Sequence, residues 1–152
     1  MKSIQIHFPE SNITVTANLL VKEEPELCQQ LWDAVENPSK MVIHHTMSTG
    51  DVFVAFPRPP AHPPVTGTQA QPVGRNTNVL WSDLKCGDIF WRGWNIGVAY
   101  GKCTEPLNPG GCIAAKVDEA DLEQFCHACK TAWYHVYFLH QTPSIIVSRK
   151  EA

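Results

Sequence analysis

The segment Tyr100-Gly101-Lys102-Cys103-Thr104-Glu105-Pro106 brings a phenol, a hydroxyl and a carboxylate together where a strand pattern runs into a loop dense with Gly and Pro. A carboxylate on a constrained loop beside a tyrosine hydroxyl is a proton-transfer pair. Pro106 restricts the backbone of Glu105 to extended conformations and so fixes the direction of its side chain. The alternative for a lone glutamate is a solvated loop carboxylate. A second concentration is the run Val42-Ile43-His44-His45-Thr46. Successive strand residues face opposite sides, so one of His44 and His45 points inward. An inward histidine among apolar residues is either a hydrogen-bonded core residue or an acid/base with a tuned pKa. Trp81, Trp91 and Trp94 fall in the stretch leading to Tyr100. Core packing is their ordinary role, and an aromatic wall for a flat ligand is the other.

The elements that position these residues are mostly strands. Ser3–Phe8 and Asn12–Leu20 alternate apolar and polar residues around Pro9–Ser11, as an antiparallel hairpin does. Glu23-Glu24-Pro25 opens a helix with an apolar stripe of Leu27/Cys28, Leu31/Trp32 and Val35, stopped at Asn37-Pro38. Strand patterns follow at Met41–Met47, Asp51–Phe56, Asn76–Trp81, Asp88–Arg92, Asn95–Tyr100, Ile113–Val117 and Ser144–Arg149. Residues 57–74 hold half of the twelve prolines and no apolar period, so they form a loop. Asp118, with Asp121 three residues on, caps a long helix over 118–141 that Pro143 ends. Its core face is Leu122, Cys126, Cys129, Trp133, Val136 and His140, and Tyr134 and Phe138 make a second greasy stripe suited to a homodimer partner. About nine short strands and two helices predict a mainly β (α+β) chain: an antiparallel β-barrel or two packed sheets, with helices covering the open ends.

Composition narrows the function. The 152 residues are room for a single domain, 1–152. Twelve Lys and Arg against fifteen Asp and Glu give a net charge of −3, which excludes a general nucleic-acid binder. No apolar run reaches the roughly 20 residues that span a bilayer, so no membrane role is expected. The first ten residues alternate like a strand and carry no secretory signal. The six cysteines therefore read as thiols in a reducing compartment, and a cytoplasmic location is expected. Cys126-His127-Ala128-Cys129 has one metal-ligand spacing but no second pair at a workable distance, so no metal is expected. The chain has no GxGxxG, GxxxxGK[ST], HExxH or GxSxG motif, so an ordinary nucleotide or nicotinamide enzyme is not expected and no cofactor is called for.

Four segments in order, Glu23–Trp32, Ile43–Asp51 (IHHTMSTGD), Cys86–Gly93 (CGDIFWRG) and Ala99–Leu107 (AYGKCTEPL), resemble the cucumopine/mikimopine synthase family. The most specific piece is Tyr100-Gly-x-x-Thr104-Glu105-Pro106. The resemblance implies a cyclophilin-like β-barrel without prolyl-isomerase equipment. It also implies an opine-type synthase: a Pictet–Spengler cyclisation that joins the amine and imidazole of histidine to a 2-oxo acid such as 2-oxoglutarate. Such a reaction has no redox step and needs a base to free the amine, an acid to assist water loss and a base for the last ring proton. With the resemblance, Glu105 becomes the expected principal base and acid, one of His44 and His45 the assistant, and Tyr100 the orienting group. Arg58, Arg75 and Arg92 are the candidate carboxylate binders, with Thr104, Trp91 and Trp94 as further substrate contacts. The partners are then small molecules. Two other readings compete: a small hydrolase or isomerase acting on a nitrogen heterocycle or amide, and a ligand-binding barrel without chemistry. An open mouth near Glu105 favours an enzyme, and a barrel filled solidly with apolar side chains counts against both enzyme readings.

Overall fold

A computed structural model describes residues 2–62 and 66–150. Its strands are β1 (Ser3–Phe8), β2 (Ile13–Leu19), β3 (Ser39–His45), β4 (Gly50–Phe56), β5 (Asp88–Trp91), β6 (Ile96–Cys103), β7 (Cys112–Val117) and β8 (Ser144–Arg149). Helix α1 (Pro25–Ala34) joins β2 to β3, and α2 (Leu122–Tyr137) lies between β7 and β8. The strands close into a barrel in the order β1-β2-β7-β5-β6-β4-β3-β8, with every neighbouring pair antiparallel.

The alternation seen in the sequence sets the inside of the barrel. Ile4, Ile6 and Phe8 on β1, Val15, Ala17 and Leu19 on β2, and Ile96, Val98 and Tyr100 on β6 all point inward and are buried. Because connections fix which end each helix reaches, α1 closes the end where β2 finishes and β3 begins, and α2 closes the end where β7 finishes and β8 begins. Leu27, Cys28 and Leu31 of α1 and Phe125, Ala128, Cys129 and Ala132 of α2 join the same core cluster as the strand residues. The lumen is thus packed from end to end. Gly97 lets β5 and β6 lie flat, because the Phe90 ring rests where a Cβ would be. A smaller cluster outside the barrel, around Val52, Phe90 and Ala99, is covered by Leu84 and Trp81.

Three sequence expectations are corrected. The strand read over Asn76–Trp81 is irregular chain ending in a short 3-10 turn at Trp81–Asp83, which leaves eight strands. Its backbone is satisfied by side chains and not by a ladder. The Arg75 and Asn76 amides donate to the buried Glu24 carboxylate, and Asn108 Nδ2 donates to the carbonyls of Thr77 and Val79. The helix read over 118–141 is a 3-10 turn at Glu119–Asp121 followed by α2, which ends at Tyr137. Asp118 and Asp121 make no capping box, because Asp121 Oδ2 accepts the amide of Thr16 across the barrel end. The helix stops because His140 takes a left-handed conformation (φ 52°) and the chain folds back, with Gln141 N donating to His135 O. The core face of α2 is rotated from the one expected: Trp133 is exposed, and the small residues Ala128 and Ala132 take the inner side.

The proline-rich stretch has no regular element over residues 57–62 and 66–74, and Pro63, Pro64 and Val65 lie outside the described residues. Among the described residues no helix is long and apolar enough to cross a membrane.

Candidate functional site

At the end of the barrel closed by α2, β3 and β6 bring His45 and Tyr100 together. His45 is the inward histidine; His44 is exposed and lies edge-on against Phe56 on the outer surface. His45 Nδ1 is 2.8 Å from the Thr46 carbonyl, and His45 Nε2 is 2.7 Å from the Tyr100 hydroxyl. A carbonyl only accepts, so Nδ1 carries the hydrogen, and the neutral ring receives the Tyr100 O–H on Nε2. Burial pushes the His45 pKa below its ordinary value, opposed by the Thr46 hydrogen bond and the Asp51 charge. Burial, reinforced by the Asp51 charge, pushes the Tyr100 phenol far up. The pair is therefore a neutral imidazole and a neutral phenol near pH 7. Tyr137, the last residue of α2, donates its hydroxyl to the His45 and Thr46 carbonyls, at 3.3 and 3.0 Å, and stands edge-on to the imidazole.

The turn between β3 and β4 holds the rest of this end. Thr104 N donates to Thr49 O, and the Thr104 hydroxyl faces the Ser48 and Thr49 carbonyls. Thr104 thus ties two loops together. The tie places Glu105 beside the buried Thr49, whose hydroxyl donates to Glu105 Oε1 at 3.4 Å. Ser82 N donates to the Glu105 carbonyl, so the backbone is held on both sides and the carboxylate is left partly exposed. Asp51 closes the IHHTMSTGD segment, and the sequence gives it no role of its own. Its exposed carboxylate lies over Gly101, where a side chain would collide with it. Tyr137 gave no sequence signal beyond its place on the helix.

The remaining sequence candidates stand at the opposite end. Trp91 pairs with Ile96, four residues from Tyr100 along β6, which is about 13 Å of strand. Trp91 is buried at the α1 end with its indole N–H on Gln30 Oε1, and Trp94, on the hairpin after β5, is edge-on to Phe56. Arg58 is exposed beside them. Arg75 is held by Glu26 in a two-pronged ion pair at the surface. Burial lowers the pKa of Arg92, and its Nε, like both side-chain polar atoms of Asn95, is buried without a partner among the described residues. The structure therefore brings His45 and Tyr100 into contact, places Thr104 and Glu105 on the loop that follows the same end of β6, and sets Arg58, Arg92, Trp91 and Trp94 around the other end.

What the rim can do is acid/base and orienting chemistry. The lumen behind it is filled: Val98, Phe53 and Cys129 are fully buried, so a ligand is met at the rim and not inside the barrel. Thiolate chemistry is disfavoured, since burial pushes Cys28 and Cys103 up to about 11 and Cys112 to about 12. All six cysteines are free. Among the described residues no three His, Cys, Asp or Glu side chains converge to hold a metal ion.

The structure of McbB in complex with tryptophan superimposes with a TM-score of 0.80 at 24% identity, over 98% of this chain and 45% of that one, so this chain spans less than half of McbB's length. A hypothetical protein, AF2241 from Archaeoglobus fulgidus, superimposes with a TM-score of 0.53 at 17% identity, over 98% of this chain and 95% of its own. No curated protein matches the sequence. Residues 6–137, from β1 through the end of α2, match a family described as proteins of unknown function. The chain belongs to that family, DUF3830, and carries the barrel fold to which its cucumopine-synthase-like motifs pointed.

Proposed function

We propose that this protein catalyses a cofactor-independent Pictet–Spengler-type condensation at the rim closed by α2. It joins the amine and ring of histidine, or of a related aryl-ethylamine amino acid, to a 2-oxo acid such as 2-oxoglutarate. The amine attacks the ketone and water leaves, giving an iminium; a ring carbon then attacks it, and loss of a ring proton restores aromaticity. The product is the sum of the two substrates minus water, with no change of oxidation state.

Glu105 is the base that frees the amine and later takes the ring proton, placed by Thr49 and by the backbone ties on either side of it. Tyr100 stays protonated with its hydrogen held on the fixed His45 ring, which leaves the phenol oxygen as an acceptor that orients the substrate. Of the two histidines, His45 is the assistant, since His44 faces outward. The three arginines of the sequence reading belong to the other end, and Lys102, exposed at the end of β6, is the cation nearest in sequence for a substrate carboxylate. The observation that carries this reading is the Tyr100–His45 pair with its single tautomer, at the barrel end from which β6 runs into the Glu105 loop, in a fold shared with a protein that holds tryptophan. We also propose that the exposed stripe of α2 pairs with a second copy of the chain.

The packed lumen favours a second reading, a binding barrel without chemistry. One experiment separates the two. The purified protein is mixed with L-histidine or L-tryptophan and 2-oxoglutarate or pyruvate, and masses are followed. A species at the summed mass less water, absent without protein, supports the synthase. Unchanged substrates in every mixture sink it in favour of a binder, and gain of water by one substrate points to a hydrolase.

A further inference from the structure

The α1 end carries a groove that the reaction proposed above does not use. It has a volume of about 530 Å³ and runs between α1, the start of β3 and the hairpin after β5, which is the size and concavity of a small-molecule site. Its lining includes Trp94, Pro57, Pro60 and Ala34 over the buried Trp91 and Met41. The Trp94 ring is held in place, with its Nε1–H on Thr66 Oγ1 at 2.6 Å and its edge against Phe56. Gly93, at φ +112°, lets the hairpin turn with no side chain across the opening.

Two opposite charges stand on this apolar groove. Arg58 lies between Pro57 and Pro59, which limit its backbone, and among the described residues no carboxylate is within ion-pair distance of it. On the same groove Asp33 uses only Oδ1, which receives Gln29 Nε2 at 2.9 Å and lies 3.8 Å from Arg149. Its Oδ2 has no partner among the described residues. Gln30 takes the Trp91 N–H on its oxygen, which leaves its amide hydrogens for another acceptor. A cation, an anion and an aromatic wall on one concave surface match one chemistry: a free α-amino acid with an aromatic side chain, its carboxylate on Arg58, its ammonium on Asp33 and its ring on Trp94.

We propose that this groove binds the zwitterion of an aromatic α-amino acid. The site lies a barrel length from Glu105 and does not depend on the reaction proposed there. Calorimetric titration with L-tryptophan, tryptamine and indole-3-propionate tests it, because the two analogues each lack one charge. L-tryptophan should bind, and each analogue should bind about tenfold more weakly, the scale of one lost charged hydrogen bond. Arg58→Ala should weaken L-tryptophan and indole-3-propionate about tenfold and leave tryptamine unchanged. Asp33→Asn should weaken L-tryptophan and tryptamine and leave indole-3-propionate unchanged. No heat with any probe up to about 10 mM overturns the inference. So does binding indifferent to Arg58 and Asp33. If the crossed pattern appears and no condensation product is ever found, the groove stands and the synthase falls.

Discussion

At the scale of single residues, the rim is defined by what His45 can accept. The Thr46 carbonyl fixes its hydrogen on Nδ1, so the ring presents one lone pair, and Tyr100 fills it. The side on which each histidine falls follows from strand alternation, but which of the two is inward depends on the register of β3 with β4, where His45 opposes Phe53. A lone sequence does not contain that register, and for the same reason Asp51 could be quoted in a motif without a role. Removing the base while keeping its shape should separate chemistry from structure. Glu105→Gln is expected to lower condensation turnover by about 100-fold or more, the usual scale for a general base, with an unchanged melting temperature, since its side chain makes one long contact with Thr49. Equal turnover in the two proteins would remove Glu105 from the mechanism. His45 also gives stability a pH dependence. Its folded pKa lies below the ordinary 6.5, so the unfolded chain takes up this proton first. The stability it supports is complete above about 6.5 and is lost as pH falls from there toward the depressed value. Urea midpoints measured from pH 7 to pH 5 should therefore fall more steeply in the wild type than in His45→Gln. Parallel slopes would assign the acid sensitivity to another group.

At the scale of elements, the sequence spelled out those stretches whose side chains alternate against a core, and misread those whose backbones are satisfied by side chains. The β1–β2 hairpin is legible from alternation, and α1 from its Pro25 start and apolar stripe. Asn76–Trp81 reads like a strand because Val79, Leu80 and Trp81 are apolar, yet Glu24 and Asn108, distant in sequence, take its hydrogen bonds. The C-terminal helix was read too long because nothing local announces that His140 turns left-handed. Two substitutions test how tightly the β5–β6 pair is built. Gly97→Ala would put a methyl group into the Phe90 ring, and should cost about 1–3 kcal/mol or more in unfolding free energy. Asn95→Leu should act in the opposite direction. Its amide is fully buried with both polar atoms unpartnered among the described residues, so an apolar side chain of similar size should raise stability by about 1–2 kcal/mol. A loss of stability on Asn95→Leu would mean that the amide holds a partner that the described chain does not supply.

At the scale of the whole molecule, closing a barrel with a helix at each end leaves no lumen for a ligand and puts all recognition on the two rims and the outer surface. The two sets of candidate residues, mixed together in the sequence reading, separate because β6 runs from one rim to the other: Ile96 beside Trp91 at its start, Tyr100 and Cys103 near its finish. Sequence proximity on a strand is distance along the barrel axis, and that is why the arginines and tryptophans could not be assigned to the glutamate's site from spacing. The outer surface has one feature that a barrel of this size does not need for its own folding. At the solvent side of the C-terminal end of α2, Phe138 stacks on Tyr134 and meets Trp133 edge-on, each at a centroid separation of 5.2 Å, and Leu139 follows in the chain, all four exposed. A contiguous aromatic patch of that kind is an association surface when it is rimmed by polar groups, and here Lys130 and His127 flank it on the same helix. A two-fold axis across α2 would set the patch on its own copy, since an isologous contact needs only a self-complementary surface. Light scattering on the eluting protein should therefore report twice 17.0 kDa, and Phe138→Glu should return the monomer mass without lowering the melting temperature of the barrel, because Phe138 lies outside the core cluster. A wild-type monomer at all concentrations tested would leave the patch without a second copy to cover it.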